Sequence, residues 1–149
     1  MKLTAILVSF LLSFNGAVEA APTLKEQKQI NCIATAVYFE ARGSSTEGQA
    51  AVGQVIRNRV NSVGFPQTYC GVVYQKGQFS WTKHKNLKIK DHKSWEEAKK
   101  IAAVTYYLGW PDSLVGNSTY FHSGKKPYWT KSVSKVTKID GHRFYQVKS

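Results

Sequence analysis

The chain has 149 residues, of which 42% are hydrophobic and 20% are charged; this is enough for the core of one domain and excludes an intrinsically disordered chain. The 21 lysines and arginines outnumber the 9 acidic residues, which gives a formal net charge of +12. A charge of this size attracts polyanions: nucleic acids, acidic membrane surfaces, or cell walls that carry carboxylates and phosphates.

The N-terminus has the pattern of a secretory signal. Lys2 gives it a positive start, and an apolar stretch follows that is too short and too interrupted for a comfortable membrane span. Val18 and Ala20 are small residues at the two positions that a signal peptidase reads. We predict that residues 1–20 are cleaved and that residues 21–149 form the mature domain; a retained membrane anchor is the alternative.

Export narrows the choice of partner. Cleavage removes one basic and one acidic residue, so the mature chain keeps the net charge of +12. An exported protein meets the cell wall rather than nucleic acid, so we expect peptidoglycan as the partner and no nucleic acid. We expect a monomer in the periplasm or secreted to the cell wall, with no stable membrane insertion after the signal is removed.

Three helices are predicted, each opened by a capping box, in which Ser or Thr is followed three residues later by Glu or Gln. The first helix covers Leu24–Glu40, the second begins at the box of Thr46 and ends near Gly64, and the third covers about 94–109. Residues 69–81 are interpreted as short irregular elements, and the lysine-rich segment 82–93 as a solvated loop.

The pattern changes after the third helix. Thr119 to Ser123 and the stretch from Val133 to the C-terminus favour β-branched and aromatic residues, and Asp140-Gly141 is a tight-turn signal. The sequence therefore predicts an α+β fold with a mainly helical body and a small C-terminal β element.

Two cysteines occur, Cys32 and Cys70. An even pair in an exported protein suggests one disulfide, because the compartment is oxidising. Two separately buried thiols are the alternative, since a bond needs Cα atoms within about 7 Å.

Glu40 is the acid without an evident structural reason. The other acids after the signal lie in predicted helix starts, a loop or a turn, where a negative charge is stabilised or solvated. Glu40 stands at the C-terminal end of a helix, where the dipole disfavours an anion, among apolar and aromatic neighbours that would raise its pKa. A carboxyl held protonated near neutral pH suits a general acid at a glycosidic bond. A solvated glutamate at the helix end is the alternative.

Five motifs in order, over nearly the whole mature chain, resemble the catalytic domain of the SleB-type cell-wall hydrolases, the family named for the spore-cortex-lytic enzymes. They are Tyr38-Phe39-Glu40-Ala41-Arg42-Gly43; Glu47-Gly48-Gln49-Ala50-Ala51-Val52 with Asn58-Arg59-Val60; Gln78-Phe79-Ser80-Trp81; Tyr120-Phe121-His122 with Pro127-Tyr128-Trp129; and Gly141-His142-Arg143-Phe144-Tyr145.

The resemblance implies that Glu40 is the catalytic glutamate and that the fold is lysozyme-like, akin to the lytic transglycosylases. It also implies cleavage between N-acetylmuramic acid and N-acetylglucosamine. The family commonly has a second glutamate where this chain has Ser44. Ordinary glycosidases need two carboxylates, whereas a transglycosylase needs one if the 6-hydroxyl of muramic acid attacks. We therefore expect 1,6-anhydro products; a hydrolytic muramidase, with Glu47 as candidate second acid or base, is the alternative.

Aromatic residues in the same motifs suit a sugar substrate, because they stack on the apolar faces of sugar rings. The candidate substrate-binding residues are Phe79, Trp81, Tyr120, Trp129 and His122, and ordinary burial is the alternative for each. No spacing of His, Cys or acids resembles a zinc site, and no glycine-rich phosphate loop occurs. We expect neither a catalytic metal nor a cofactor.

Two other functions stay open. A thiol peptidase or amidase would use Cys32 or Cys70 with His122 or His142. A non-catalytic, basic cell-wall-binding module would explain the charge, although not the position of Glu40.

Overall fold

The computed structural model describes residues 20–148, so the predicted signal of residues 1–20 lies outside the described residues except for Ala20. Five α-helices and a three-stranded sheet confirm the predicted α+β fold. The elements are α1 (Leu24–Ala41), α2 (Thr46–Val60), α3 (Tyr69–Val73), α4 (His92–Tyr107), α5 (Asp112–Val115), β1 (Tyr120–Ser123), β2 (Val133–Ile139) and β3 (His142–Val147), with 3₁₀ turns at Ser80–Lys83 and Tyr128–Ser132.

Helix α1 forms the centre of the helical body. Its capping box is present, with the Thr23 backbone N–H donating to Glu26 at 2.8 Å and the Glu26 N–H donating to Thr23 Oγ1 at 3.2 Å. The side chains of Ile33, Val37 and Tyr38 are fully buried, and they pack in one cluster with residues of α2, α3 and α4. Helix α1 therefore has its last turn, which carries Glu40, held against the rest of the body.

The start predicted for the third helix was too late by two residues, and the cap predicted for the second helix was too late by one. Helix α4 begins at His92, because Asp91 is its cap and accepts the N–H of Ser94 at 3.0 Å. Helix α2 is capped by Ser45 rather than Thr46, and it ends at Val60, before Gly64. In both cases a polar residue one to three positions upstream caps the helix first.

The sheet has strand order β1-β3-β2 with antiparallel pairing throughout, and it confirms the predicted hairpin. Asp140 occupies the tight turn with φ of 50°, a left-handed conformation that aspartate tolerates better than most residues. On the buried side, Phe144 packs with Ala51 and Val55 of α2 and Val115 of α5. This contact joins the sheet to the helical body.

A disulfide between Cys32 and Cys70 links α1 to α3, with the two Cα atoms 5.1 Å apart. Of the two alternatives for the cysteines, the structure therefore contains the bonded pair. Within residues 20–148, no helix combines the length and apolar character needed to span a membrane.

Candidate active site

Glu40 lies in the last turn of α1, one residue before the helix ends. Its neighbours Tyr38 and Ala41 are buried, and its own side chain is half-buried. Burial raises the pKa of the Glu40 carboxyl above its ordinary value, and this effect outweighs the interactions with Trp81 and Arg59 that lower it. The position thus favours a protonated carboxyl, as the sequence predicted from the helix end and the apolar neighbours.

Arg59 supplies a buried positive charge beside this carboxyl. It lies on α2 and is only 4% exposed. Its Nε donates to the backbone oxygen of Thr119 at 2.7 Å, and its guanidinium lies 5.6 Å from the Phe65 ring and 5.7 Å from the Phe79 ring. One terminal nitrogen, Nη1, is buried without a hydrogen-bond partner. Burial lowers the pKa of Arg59 to about 10, so the side chain stays charged at neutral pH.

Arg59 is the site residue that the sequence analysis missed as a candidate, although a signal was present. It stands seven residues after Val52 and three after Ile56, on the face of α2 that carries the buried residues. A charge on an apolar helical face is uncommon unless it has a partner. Within the described residues, Arg59 has the Thr119 carbonyl as a hydrogen-bond acceptor, and Tyr120 and Glu40 stabilise its charge.

Trp81 is brought to Glu40 by the 3₁₀ turn Ser80–Lys83. The indole is 7% exposed and lies roughly parallel to the rings of Phe39, at 5.2 Å, and Phe79, at 5.7 Å. Its Nε1 is buried without a hydrogen-bond partner, and Trp81 is among the groups that lower the pKa of the Glu40 carboxyl. A loosely engaged donor of this kind can bind more tightly once the carboxyl becomes an anion.

The remaining predicted aromatic residues form a cluster on and beside the sheet. His122 Nε2 lies 3.1 Å from the Tyr145 hydroxyl, and the two rings are stacked at 5.6 Å. Trp129 meets both rings edge to face, and its own ring lies 5.6 Å from that of Tyr120. The electrostatic interaction with Tyr120 in turn raises the pKa of Arg59. The cluster therefore reaches the Glu40 site through Tyr120.

His142, the first residue of β3, lies beside the end of α1. The side chain is buried, its Nδ1 has no hydrogen-bond partner, and the Glu40 backbone is among the groups that act on the pKa of the ring. Burial lowers the pKa of His142, although the negative charge of Asp140 opposes the change. A neutral imidazole at neutral pH is suited to positioning the helix end rather than to supplying charge there.

Two predicted site residues lie away from the carboxyl. Phe79 is 3% exposed and belongs to the core, so it supports Trp81 and Arg59 from beneath instead of lining a groove. Glu47 is exposed in the first turn of α2, and it is not among the groups that act on the Glu40 carboxyl. The site thus contains one carboxyl, one buried cation and an indole donor.

Two other types of site find little support in the described residues. Both cysteines are in the disulfide, so neither offers the free thiolate that a thiol enzyme needs. Between residues 20 and 148 there is no group of three or more His, Cys, Asp or Glu side chains that could hold a metal ion.

Comparison with known proteins agrees with these features. The sequence profile of the cell wall hydrolases matches residues 43–145, a match that starts just after Glu40. The chain is 38% identical over 123 residues to a spore cortex-lytic enzyme of Oceanobacillus iheyensis, covering 79% of this chain and 41% of the relative. It is 34% identical over 127 residues to that of Bacillus cereus, covering 83% and 46%. The chain thus spans less than half the length of these relatives.

Solved structures give the same result. The catalytic domain of the Bacillus cereus SleB protein superposes with a TM-score of 0.68 at 32% identity, covering 80% of this chain and 91% of that one. The catalytic domain of the germination-specific lytic transglycosylase SleB from Bacillus anthracis gives 0.66 at 31% identity, covering 85% and 100%. The lysozyme-like fold expected from the motifs is therefore confirmed, and the chain belongs to the cell wall hydrolase family.

Proposed function

We propose that this domain cleaves the glycan strand of peptidoglycan between N-acetylmuramic acid and N-acetylglucosamine, as a lytic transglycosylase with Glu40 as its acid and base. The observation that carries the proposal is the half-buried Glu40 carboxyl, whose pKa is raised and on which Trp81 and Arg59 act. The matched relatives are called spore cortex-lytic enzymes, and one matched structure is called a lytic transglycosylase.

In the first step, the protonated Glu40 carboxyl donates its proton to the glycosidic oxygen. The bond between that oxygen and C1 of muramic acid breaks, the N-acetylglucosamine side leaves with a free 4-hydroxyl, and positive charge develops at C1. Glu40 is now a carboxylate, which the Trp81 N–H and the Arg59 charge stabilise.

In the second step, the 6-hydroxyl oxygen of the same muramic acid attacks C1. Its proton passes to the Glu40 carboxylate, so the acid is regenerated and a 1,6-anhydro ring forms without consuming water. Both steps use one carboxyl, and Arg59 is the one charged group of residues 20–148 that acts on it. A hydrolytic enzyme would need a second base to activate water, and Glu47 is the candidate for it.

We also propose that residues 1–20 direct export, which would bring the domain to its substrate. The support is the sequence pattern of a positive start, an apolar stretch and a small-residue cleavage site. The periplasm or the cell wall is the expected location.

The decisive test is mass spectrometry of the soluble fragments that the domain releases from purified peptidoglycan. We expect anhydro-muropeptides from the wild type, none from Glu40→Gln, and wild-type products from the control Glu47→Gln. Reducing-end muropeptides would mean that water is the nucleophile, and their loss in Glu47→Gln would identify Glu47 as the base. Free stem peptides would indicate an amidase, and binding without fragments would indicate a wall-binding module.

A further inference from the structure

A basic cleft lies between the end of α1 and the segment that leads into α4. Its volume is about 490 Å³, and it is open to solvent. Its lining includes Phe39 and four cations, Arg42, Lys85, Lys88 and Lys90. No Asp or Glu lines it.

The positive charge of the cleft is not neutralised nearby. The ion pair found within residues 20–148, between Lys99 and Glu96, lies on α4 away from the cleft. Arg42 is among the groups that lower the pKa of Asp91, but the Asp91 carboxylate already accepts two hydrogen bonds from Ser94 at the start of α4. The four cations therefore have at most one acid nearby, Asp91, and that acid is already hydrogen-bonded to Ser94. The cleft thus keeps an excess of positive charge that can attract an anionic ligand.

The cleft is held in shape by one hydroxyl. The Tyr38 hydroxyl oxygen accepts the backbone N–H groups of Lys90 and Asp91, at 3.2 and 3.1 Å, and Arg42 Nη1 at 2.9 Å. The Arg42 guanidinium also lies 5.2 Å from the Tyr38 ring centroid. This anchoring fixes the end of the lysine segment and the arginine relative to α1 before any ligand binds, which reduces the ordering cost of binding.

The cleft adjoins the Glu40 site through one aromatic contact. Phe39 lines the cleft and precedes Glu40 in the chain, and its ring lies 5.2 Å from that of Trp81. Trp81 is also among the groups that lower the pKa of the Glu40 carboxyl. Groups attached to a sugar that is bound at Glu40 can therefore extend into the cleft.

We propose that this cleft binds the carboxylates of the stem peptide on the muramic acid next to the cleaved bond. The inference rests on the proposed function, because the sugar rings themselves bring no carboxylate that is not used in linking the peptide. Phosphates of wall polymers share the anionic chemistry, but they are not attached at the bond that Glu40 would cleave. The cleft would thus make cleavage faster on glycan that retains its peptides.

The test uses a triple variant, Lys85→Gln with Lys88→Gln and Lys90→Gln, and two substrates. One is peptidoglycan freed of phosphate polymers, and the other is the same glycan stripped of its stem peptides by an amidase. We expect kcat/KM to fall about tenfold on the first substrate, the scale for removing three solvent-exposed charges, and to fall clearly less on the second, which keeps only the lactyl carboxylate that the amidase exposes. The control neutralises Lys25, Lys100 and Lys138, three exposed lysines outside the cleft, and should leave both rates unchanged.

Three outcomes would overturn the proposal. They are an equal loss on both substrates, an equal loss in the control triple, and a loss that appears only when phosphate polymers are present. Co-sedimentation of Glu40→Gln, with and without the triple change, repeats the comparison as binding. Weaker binding of the triple to peptide-bearing wall supports the cleft even if the wild type releases no fragment, so failure of the cleft and failure of the cleavage reaction are distinguishable.

Discussion

The proposed mechanism requires of Glu40 a pKa that lets it give up a proton and take one back in each cycle. Burial makes the protonated acid the more stable form, whereas Trp81 and Arg59 stabilise the carboxylate that follows. If burial acted alone, the acid would hold its proton too tightly to transfer it efficiently. Arg59 can exert its influence because it is itself buried, where charges interact more strongly than in water.

Replacing Arg59 with glutamine tests this balance. Arg59 lowers the pKa of Glu40, so its removal should raise that pKa further. The alkaline limb of the pH–rate profile, where the acid loses its proton, should then move to higher pH. The maximal rate should fall, because the carboxylate loses a stabilising charge. The measurement is fragment release from purified peptidoglycan as a function of pH.

Arg57→Gln is the matched control, because it removes another arginine of α2 that binds backbone carbonyls. Arg57 Nη1 donates to the oxygens of Thr105 and Tyr106, at 2.7 and 2.9 Å, and Arg57 is not among the groups that act on Glu40. We expect it to destabilise the fold without moving the alkaline limb. A limb that stays in place in Arg59→Gln, or moves equally in both variants, would contradict the assigned role of Arg59.

At this scale, the sequence was more informative about the acid than about its surroundings. Glu40 could be selected because it stands at a helix end among apolar residues, where the sequence shows no structural reason for an acid. The role of Arg59 could not be predicted in the same way, because it depends on Thr119, which is 60 residues away in the chain. The burial of Phe79 was equally hidden, since a loop motif does not reveal which aromatic side chain faces inward.

At the scale of elements, the β2–β3 turn is attached to the start of α2. Asp140 Oδ2 accepts the Ser45 N–H at 3.0 Å and the Ser45 hydroxyl at 2.8 Å. A carboxylate at a helix N-terminus also interacts favourably with the helix dipole. The turn directly precedes β3, whose first residue, His142, faces the backbone of Glu40. The hairpin therefore connects the start of α2 with the end of α1.

Changing Asp140 should loosen this connection. Asp140→Ala removes the acceptor and places alanine in a left-handed conformation, so we expect a loss of about 2 kcal/mol in the free energy of unfolding. Asp140→Asn keeps an acceptor and tolerates that conformation, so its loss should be less than half as large. Urea unfolding measures both. Equal losses in the two variants would mean that the turn conformation and the cap are not what Asp140 contributes.

Periodicity and capping patterns predicted the three long helices and the hairpin, but not every boundary. Serine often caps helices, so the sequence pattern places the cap of α4 at Ser94. Asp91 lies three residues upstream and accepts the Ser94 N–H, so Asp91 is the cap. The link between Asp140 and Ser45 joins residues 95 positions apart, so a local pattern could identify the turn but not its second role.

At the scale of the whole molecule, the disulfide closes a loop over a sequence separation of 38 residues and ties α3 to the helix that carries Glu40. The even pair of cysteines suggested the disulfide. Whether it forms depends on α1 and α3 packing side by side, which is a matter of tertiary structure that the sequence pattern does not give. The loop length predicts that replacing both cysteines with alanine lowers the free energy of unfolding by about 4 kcal/mol, on the chain-entropy estimate. Urea unfolding of the double variant, and of the wild type after reduction, measures this loss.

Glycan cleavage should nevertheless persist in the Cys32→Ala, Cys70→Ala variant at temperatures where it remains folded. Glu40, Arg59 and Trp81 provide the proposed chemistry without a thiol, and circular dichroism establishes whether the variant is folded during the assay. A folded double variant that releases no fragments would instead give a cysteine a chemical role and reopen the thiol-enzyme alternative. Retained cleavage with lowered stability would separate the two functions of α1: its buried face is held to α3 by the disulfide, and its C-terminal end holds the acid.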